Sequence, residues 1–369
     1  MLRGVSKLRV GVIFGGRSVE HEVSIVSANS VLRALDPARY EIRLIAVGHD
    51  GRWRLGAPGA PPESVAGGAE VALPAAPGGG ALHAVESGAL RAVAGAPAAQ
   101  LDVVLPLVHG TGGEDGCLQG LLELAGLPYV GAGVLGSALQ MDKDAAKRLL
   151  RAADVPVLDW VALRSAALRA DEAGAVELVL REIGLPAFVK PANSGSSVGI
   201  ARVQSREELP GALHEAARYD LKLIVERAIP AREIEVALLG NESPEASVPG
   251  EIIPAAEWYD YQAKYADQRT RLVVPADLPP ALCERMRQLS LTAFRVLEGA
   301  GMARADFLLH RETGALYLSE LNSLPGFTEG SMFPKLWQAT GLSYPALLDR
   351  LIALALERAA ATTALQRTL

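Results

Sequence analysis

The chain has 369 residues, half of them hydrophobic, with a net charge of −6 and a pI near 5.7. That length exceeds one ordinary core and predicts two or three domains, and the acidic balance excludes a nucleic-acid binder that relies on a basic surface. Cys117 and Cys283 have no metal-ligand spacing and suggest no disulfide framework, and no apolar run reaches membrane-spanning length, so a protein of the reducing cytoplasm is expected.

The first segment alternates strand and helix. LRVGVIF (8–14) reads as a compact apolar strand, too short and too poorly flanked for a signal peptide. GGRS follows as a turn, and a helix is predicted over 19–34. YEIRLIAVG (40–48) and LDVVLPLVHG (101–110) are further strands, a pattern that predicts a parallel α/β sheet with its sites at the carboxyl ends of the strands. Residues 56–99 are about two-thirds Ala, Gly and Pro and read as a surface insertion with weak structure of its own and no site.

A second unit begins at Lys143, with a helix over 143–153 and a strand over 157–163. A helix over 171–183 and strands PAFVK (186–190) and LKLIVER (221–227) follow. A third unit runs from EIEVALLG (233–240) through a helix at 280–299, strands at 303–309 and 316–321, and closing helices at 332–340 and 344–359. The expected domains are 1–142, 143–226 and 227–369.

Two glycine-rich stretches could hold phosphate. GAGVLG (131–136) fits the dinucleotide fingerprint, but it is a weak pattern in a chain with 37 glycines, and no P-loop occurs. In KPANSGSSVG (190–199) a lysine ends an apolar strand and a Gly/Ser loop follows. That loop either presents N–H groups and hydroxyls to phosphate or is a polar hairpin tip. Lys143 sits in the first turn of a helix capped by Asp142, where a cation opposes the helix dipole unless an anion partners it.

Later strands carry oxygen ligands. In YLSELNSLPGF (317–327), Glu320 and Asn322 are two apart and therefore on one face of a strand. Arg304 and Asp306 in ARADFLLH (303–310) share the same spacing. Paired across a hairpin, the four groups converge, and Asp, Glu and Asn are hard ligands suited to Mg²⁺ beside substrate phosphates. EWYDYQAKY (257–265) concentrates four aromatics in nine residues, as a lid over a ligand would. HEVS (21–24) lacks the second histidine of a zinc-protease motif. HGTGGEDG (109–116) is a glycine-rich loop at a strand end, a natural place for a small molecule.

Taken in order, GGRSVEHEVS, HGTGGEDG, MDKDAAK, FVKPANSGSSVG, VERAIPAREIEV, YDYQAKY, ARADF and SELNSLPGFTEGS resemble the D-alanine–D-alanine ligases of the ATP-grasp superfamily, over about 8–355. The resemblance implies an α/β (mixed α+β) three-domain ATP-grasp fold with an N-terminal parallel-sheet domain, and ligation of two D-alanines through a D-alanyl phosphate. Lys143, Lys190 and Lys264 would bind ATP phosphates under a loop containing Ser194 and Ser197. Adenine would sit at Glu226, Arg227 and Ile229, and Glu233 would hold the ribose. Asp306, Glu320 and Asn322 would hold two Mg²⁺ ions, with Mn²⁺ as a substitute. Glu22 would take the first D-alanine's ammonium, linked through Ser196 to Tyr265. Ser331 and Met332 would bind the second carboxylate, with His109 lining that pocket. Arg304 and the Gly326 N–H would stabilise the oxyanion.

Ala228 replaces a bulkier residue of many relatives at the adenine hinge. A homodimer without nucleic-acid or membrane partners is the expected assembly. The rivals are a sister ligase using D-lactate or D-serine, an NAD-dependent oxidoreductase built on GAGVLG, and a non-catalytic ATP-binding regulator.

Overall fold

The computed structural model describes residues 7–77, 80–92, 100–195, 198–254 and 270–366. Its first sheet starts with β1 (Leu8–Gly15), α1 (His21–Ala34) and β2 (Tyr40–Val47). Four short strands follow: β3 (Trp53–Leu55), β4 (Ala69–Ala72), β5 (His83–Glu86) and β6 (Ala89–Ala92). β7 (Val103–Pro106) completes seven strands in the order β6-β5-β4-β3-β2-β1-β7. Only β2, β1 and β7 run parallel; β3 to β6 add on antiparallel.

This corrects the expectation of a weakly structured insertion over 56–99, for its described residues. Val65, Val71, Leu73 and Leu82 are buried there, and Ser87-Gly88, both at positive φ, close a two-residue hairpin between β5 and β6. Such a turn needs residues that tolerate the left-handed region, and its twist matches the flanking strands. Alanine-rich alternation had concealed the strands, because Ala carries little β signal. The parallel-sheet expectation thus holds only for β2, β1 and β7, the three strands at one end of the sheet.

Three helices lead out of this sheet. α2 (Cys117–Ala125), absent from the expected elements, is followed by α3 (Val134–Met141) and α4 (Lys143–Ala152). Asp142 caps α4 as expected, its carboxylate accepting from the Ala145 N–H at 2.9 Å. Ala146 and Leu150 of α4 pack with Met286 and Phe294 in the core of the third sheet, although the helix lies before the second sheet in the chain.

The second sheet is antiparallel, ordered β10-β9-β11-β8. Its strands are β8 (Trp160–Arg164), β9 (Ala187–Pro191), β10 (Ala201–Val203) and β11 (Lys222–Arg227). α5 (Ser165–Ala170), α6 (Glu172–Glu182) and α7 (Leu209–Ala216) accompany it, and Leu168, Val179 and Leu213 are fully buried in its core. Burial of each such side chain contributes about 1.5–3 kcal/mol. The opposite face, carrying Lys190 and Glu226, is left for the site.

The third sheet runs β15-β14-β12-β16-β17, with β13 pairing β12. It contains β12 (Ala231–Gly240), β13 (Glu245–Ala246), β14 (Gly250–Ile253), β15 (Arg271–Val273), β16 (Gly301–His310) and β17 (Leu316–Asn322). α8 (Pro280–Val296), α9 (Met332–Ala339) and α10 (Tyr344–Thr363) accompany it. Leu347, Leu348 and Leu351 of α10 share one core with Val10 and Phe14 of β1 and Val31 of α1, tying the chain's ends together. Among the described residues no single helix is long and apolar enough to cross a membrane.

GAGVLG carries a packing contact. A Cβ at Gly136 would lie 2.1 Å from the Glu298 carbonyl oxygen, and one at Gly301 would lie 2.9 Å from the Gly131 nitrogen. The glycines let this segment meet the loop before β16, and only Gln140 and Met141 of α3 reach the main cavity. The oxidoreductase reading loses its one motif.

Candidate active site

The carboxyl end of β1 turns sharply through Gly15 (φ +90°) and Gly16 (φ +111°), and a Cβ at Gly15 would stand 2.3 Å from the Val47 carbonyl oxygen. Only glycine fits there. Ser24 of HEVS pins the turn, accepting from the Gly15 N–H at 2.7 Å and donating to the Leu107 carbonyl at 2.6 Å. Ser18 donates to the His109 carbonyl at 2.7 Å. The first turn of α1 is thereby locked to the HGTGGEDG loop, with exposed Glu22 lining the cavity.

His109 is buried, its Nδ1 3.2 Å from the Leu324 carbonyl oxygen and 3.8 Å from Glu114. Burial alone would lower its pKa, but the hydrogen bond and charge of Glu114, with Glu20 nearby, raise it above the ordinary histidine value. Glu20, missed in the sequence, is buried on the cavity wall, within 3.1 Å of where a Gly195 Cβ would stand. Its proximity to the phosphate-type loop depends on contacts far apart in the chain.

α4 supplies two lysines four residues apart, hence on one face. The Lys143 ammonium donates to the Ser194 carbonyl at 2.7 Å and lies 3.7 Å from Glu320. The anionic partner sought for this first-turn lysine is therefore on β17. Lys147, also missed, is almost fully buried and binds one oxygen of Glu226 at 2.5 Å. Lys190 binds the other at 2.5 Å.

Register explains the second pair. Lys190 stands opposite Ile224 and Glu226 opposite Phe188, so the two are diagonal neighbours on one face of β9 and β11. Burial favours a protonated Glu226, but Lys190 and Lys147 together outweigh it and hold the carboxyl down at about 2. Burial draws the Lys147 ammonium below the ordinary lysine range, whereas Glu226 and the other carboxylates keep that of Lys190 above it. Two ammoniums on one carboxylate leave the cluster one positive charge in excess, with Lys190 lining the cavity.

The four polar groups of the third sheet converge as the spacing predicts. Arg304 pairs with Asn322, and Asp306 with Glu320. A bulge follows, with Phe307 opposite Leu318 and Ser319 the extra residue. Buried Arg304 grips Asp306 with two bonds of 2.7 Å and lies 3.1 Å from Glu235. Burial opposes its charge, but Asp306 and Glu235 hold its pKa well above the ordinary value. The Asn322 amide donates to Asp306 at 2.8 Å. The resulting set of carboxylate and carboxamide oxygens suits a hard divalent cation, and Glu320 is the most open of its carboxylates.

One cavity of about 1140 Å³ joins these parts. Its lining includes Glu22, His109, Lys143, Lys190, Ser194, Glu226, Arg227, Ile229, Glu233, Arg304, Asp306, Glu320, Asn322, Gly326, Ser331 and Met332. At the hinge the Ala228 N–H is taken by the Pro186 carbonyl at 2.9 Å, and the Arg227 guanidinium turns to the Ile183 carbonyl at 3.0 Å. Ser331 precedes α9, its hydroxyl 2.7 Å from that of Thr328. Ser196, Ser197, Lys264 and Tyr265, with the rest of the aromatic stretch, lie outside the described residues.

Matches to known proteins agree with this arrangement. Family models described as the D-ala D-ala ligase N-terminus and C-terminus match residues 9–132 and 149–353. D-alanine–D-alanine ligase A of Chromobacterium violaceum is 50% identical over 368 residues, covering 99% of each chain. A D-alanine–D-alanine ligase of Thermoanaerobacter sp. is 46% identical over 96% of this chain and 98% of its own. Among solved structures, the ligase from Coxiella burnetii superposes with a TM-score of 0.83 at 38% identity, covering 97% of each chain. The VanG D-Ala:D-Ser ligase from Enterococcus faecalis gives 0.82 at 30% identity, over 95% of this chain and all of its own.

The fold is the ATP-grasp fold, shared with a ligase family that uses ATP and a divalent metal. The chain belongs to the D-alanine–D-alanine ligase family.

Proposed function

We propose that the chain condenses two D-alanines into D-alanyl-D-alanine, with ADP and phosphate as co-products, in the cytoplasm and as a homodimer. The observation that supports this most is the meeting of Lys143 and Lys190 with Asp306, Glu320 and Asn322 in one cavity, which Glu22 and Ser331 also line.

A carboxylate accepts an amine poorly, so it must first be activated. The carboxylate of the first D-alanine, held through its ammonium by Glu22, attacks the γ-phosphate and gives an acyl phosphate. Lys143 and Lys190 would steady the phosphates, with Lys264, Ser194 and Ser197, while the hinge at Glu226–Ile229 takes the adenine and Glu233 the ribose. Asp306, Glu320 and Asn322 would hold two Mg²⁺ ions, or Mn²⁺, which when bound neutralise charge on the transferring group.

The second D-alanine, its carboxylate on Ser331 and the Met332 N–H beside His109, then attacks the activated carbonyl. The Gly326 N–H and Arg304 would receive the oxyanion. Asp306 already takes the Arg304 Nε–H and one Nη2–H, so the remaining N–H groups on Nη1 and Nη2 are the donors left for this task. Removing one such donor typically lowers the rate by about 10²–10³. Ser196, Tyr265 and the aromatic stretch would close over the intermediate and keep water away. Three units, 1–142, 143–226 and 227–369, would frame these motions.

Phosphate release from Mg-ATP with and without D-alanine, with the product identified by chromatography, tests the proposal. D-alanine-dependent release with dipeptide formed is expected. Release that requires D-lactate or D-serine as second substrate would reassign the acceptor, and no release with any acceptor would overturn the proposal.

A further inference from the structure

The parallel pairing of β1 and β2 brings their carboxyl ends together: Gly15 stands opposite Val47, and the Gly16 N–H donates to the Val47 carbonyl at 2.8 Å. The loops leaving these ends carry His21, at the start of α1, and His49, in the turn after β2. Their rings stack with centroids 3.9 Å apart and an interplanar angle of 23°. Glu22 joins them, so that one ligand atom from each of the three lies within 4.8 Å of the others. No other such trio occurs among the described residues.

The second, independent observation is the orientation of His21. Its Nδ1 is 2.7 Å from the Gly16 carbonyl oxygen. A carbonyl can only accept, so Nδ1 carries the proton and Nε2 presents a lone pair. Metal-ligating histidines characteristically donate their other N–H in this way. His49 and Glu22 are exposed, whereas His21 is half-buried with its Nδ1 held at the Gly16 carbonyl. A tetrahedral ion with bonds of about 2.0–2.1 Å needs donors about 3.3 Å apart, so the exposed His49 ring must leave the stack and turn its edge, where the nitrogen lone pair lies, toward Nε2 of His21.

We propose that His21, His49 and Glu22 form a site for a borderline-soft divalent cation of the zinc class, at the rim of the cavity and distinct from the hard-oxygen set on β16 and β17. Two imidazoles and a carboxylate favour zinc, cobalt or nickel over Mg²⁺, which prefers oxygen ligands and retains its waters. The consequence rests on the role proposed above for Glu22. An ion holding that carboxylate withdraws it from the ammonium of the first D-alanine, so the site is inhibitory and competes with substrate rather than with ATP.

The test is a cobalt(II) titration of the full chain in excess Mg²⁺, read by visible absorption, for the natural sequence and His49→Ala. Absorption saturating at one ion per chain, with affinity at least tenfold weaker in the variant, is expected; identical titrations of the two would overturn the site. Zinc inhibition of phosphate release should yield to added D-alanine and disappear in His49→Ala, whose activity without zinc stays unchanged. Equal inhibition of both proteins would place the inhibitory ion elsewhere and overturn the inhibitory role. His49-dependent cobalt binding that leaves D-alanine binding intact would uphold the site and overturn the assignment of Glu22 to the ammonium.

Discussion

Two charged clusters face each other across the cavity, and they are built on opposite plans. Lys147, Glu226 and Lys190 form a buried cluster in which both carboxylate oxygens are bonded at 2.5 Å and Lys147 is sealed from solvent. The Asp306–Glu320–Asn322 set is half-open, with Glu320 3.7 Å from the Lys143 ammonium. A closed cluster carries its counter-charges inside the fold, so its loss is felt in stability as well as function. An open one leaves ligand positions for ions that arrive with a nucleotide, so its loss is felt in activity.

The sharpest way to break this contrast is Glu320→Ala. A ligand to a catalytic cation contributes several kcal/mol to transition-state stabilisation, so activity should fall by about 10²-fold or more while the melting temperature barely moves. Steady-state phosphate release and thermal denaturation on the same preparation check both halves. A large loss of stability would show the open set to be structural.

Glu226→Ala should do the reverse first. It leaves the buried Lys147 ammonium without its counter-charge and takes from Lys190 its nearest one, and breaking a buried ion pair typically costs about 3–5 kcal/mol. A clear drop in melting temperature is expected before any nucleotide is added. An unchanged melting point would mean that water reaches both lysines.

Lys147→Met sits between the two. Methionine fills the buried space, and Glu226 keeps one partner, so the fold should survive while Lys190 loses its fixed position. Misplacing a phosphate-binding group by about 1 Å can cost up to about 10²-fold. The expected signature is a rise in KM for ATP with little change for D-alanine, reversed in part by Lys147→Arg.

The smallest effect concerns pH. The Glu226 carboxyl is depressed to about 2, so the stability it adds is fully present above the unfolded glutamate value and is lost as pH falls from there through about 2. His109 is raised, so its contribution is full below the unfolded histidine value and fades as pH rises through the folded one. The melting-temperature advantage of the natural sequence over His109→Gln should therefore shrink from pH 6 to pH 9. An advantage that grows with pH would contradict the pairing with Glu114.

Much of this architecture was legible in the chain. The i and i+2 spacing of Arg304 with Asp306, and of Glu320 with Asn322, implied one face, and the structure pairs them across β16 and β17. The capped helix at Asp142 made a first-turn lysine mildly unfavourable without an anion, although a surface lysine was the commoner reading, and Glu320 lies 3.7 Å from the Lys143 ammonium. The partner itself could not be read, because 177 positions separate the two and nothing local specifies their distance. Lys147 was invisible for a related reason. A lysine in MDKDAAK reads as a solvated face, and only the docking of α4 beside β11 buries it. The strands within 56–99 escaped because alanine and glycine carry little periodic signal, while pairing in series onto β3 stabilises them regardless.

By itself, then, the sequence determined the local elements whose signals are short-range: apolar runs, a helix cap, alternating oxygen ligands and glycines at turns. Tertiary structure alone decided which charges are neutralised, which face the cavity, and which histidines meet at the ends of β1 and β2. The physical reason is range. Backbone preferences act over a few residues, whereas desolvation and Coulomb interactions depend on neighbours that only the folded chain brings together.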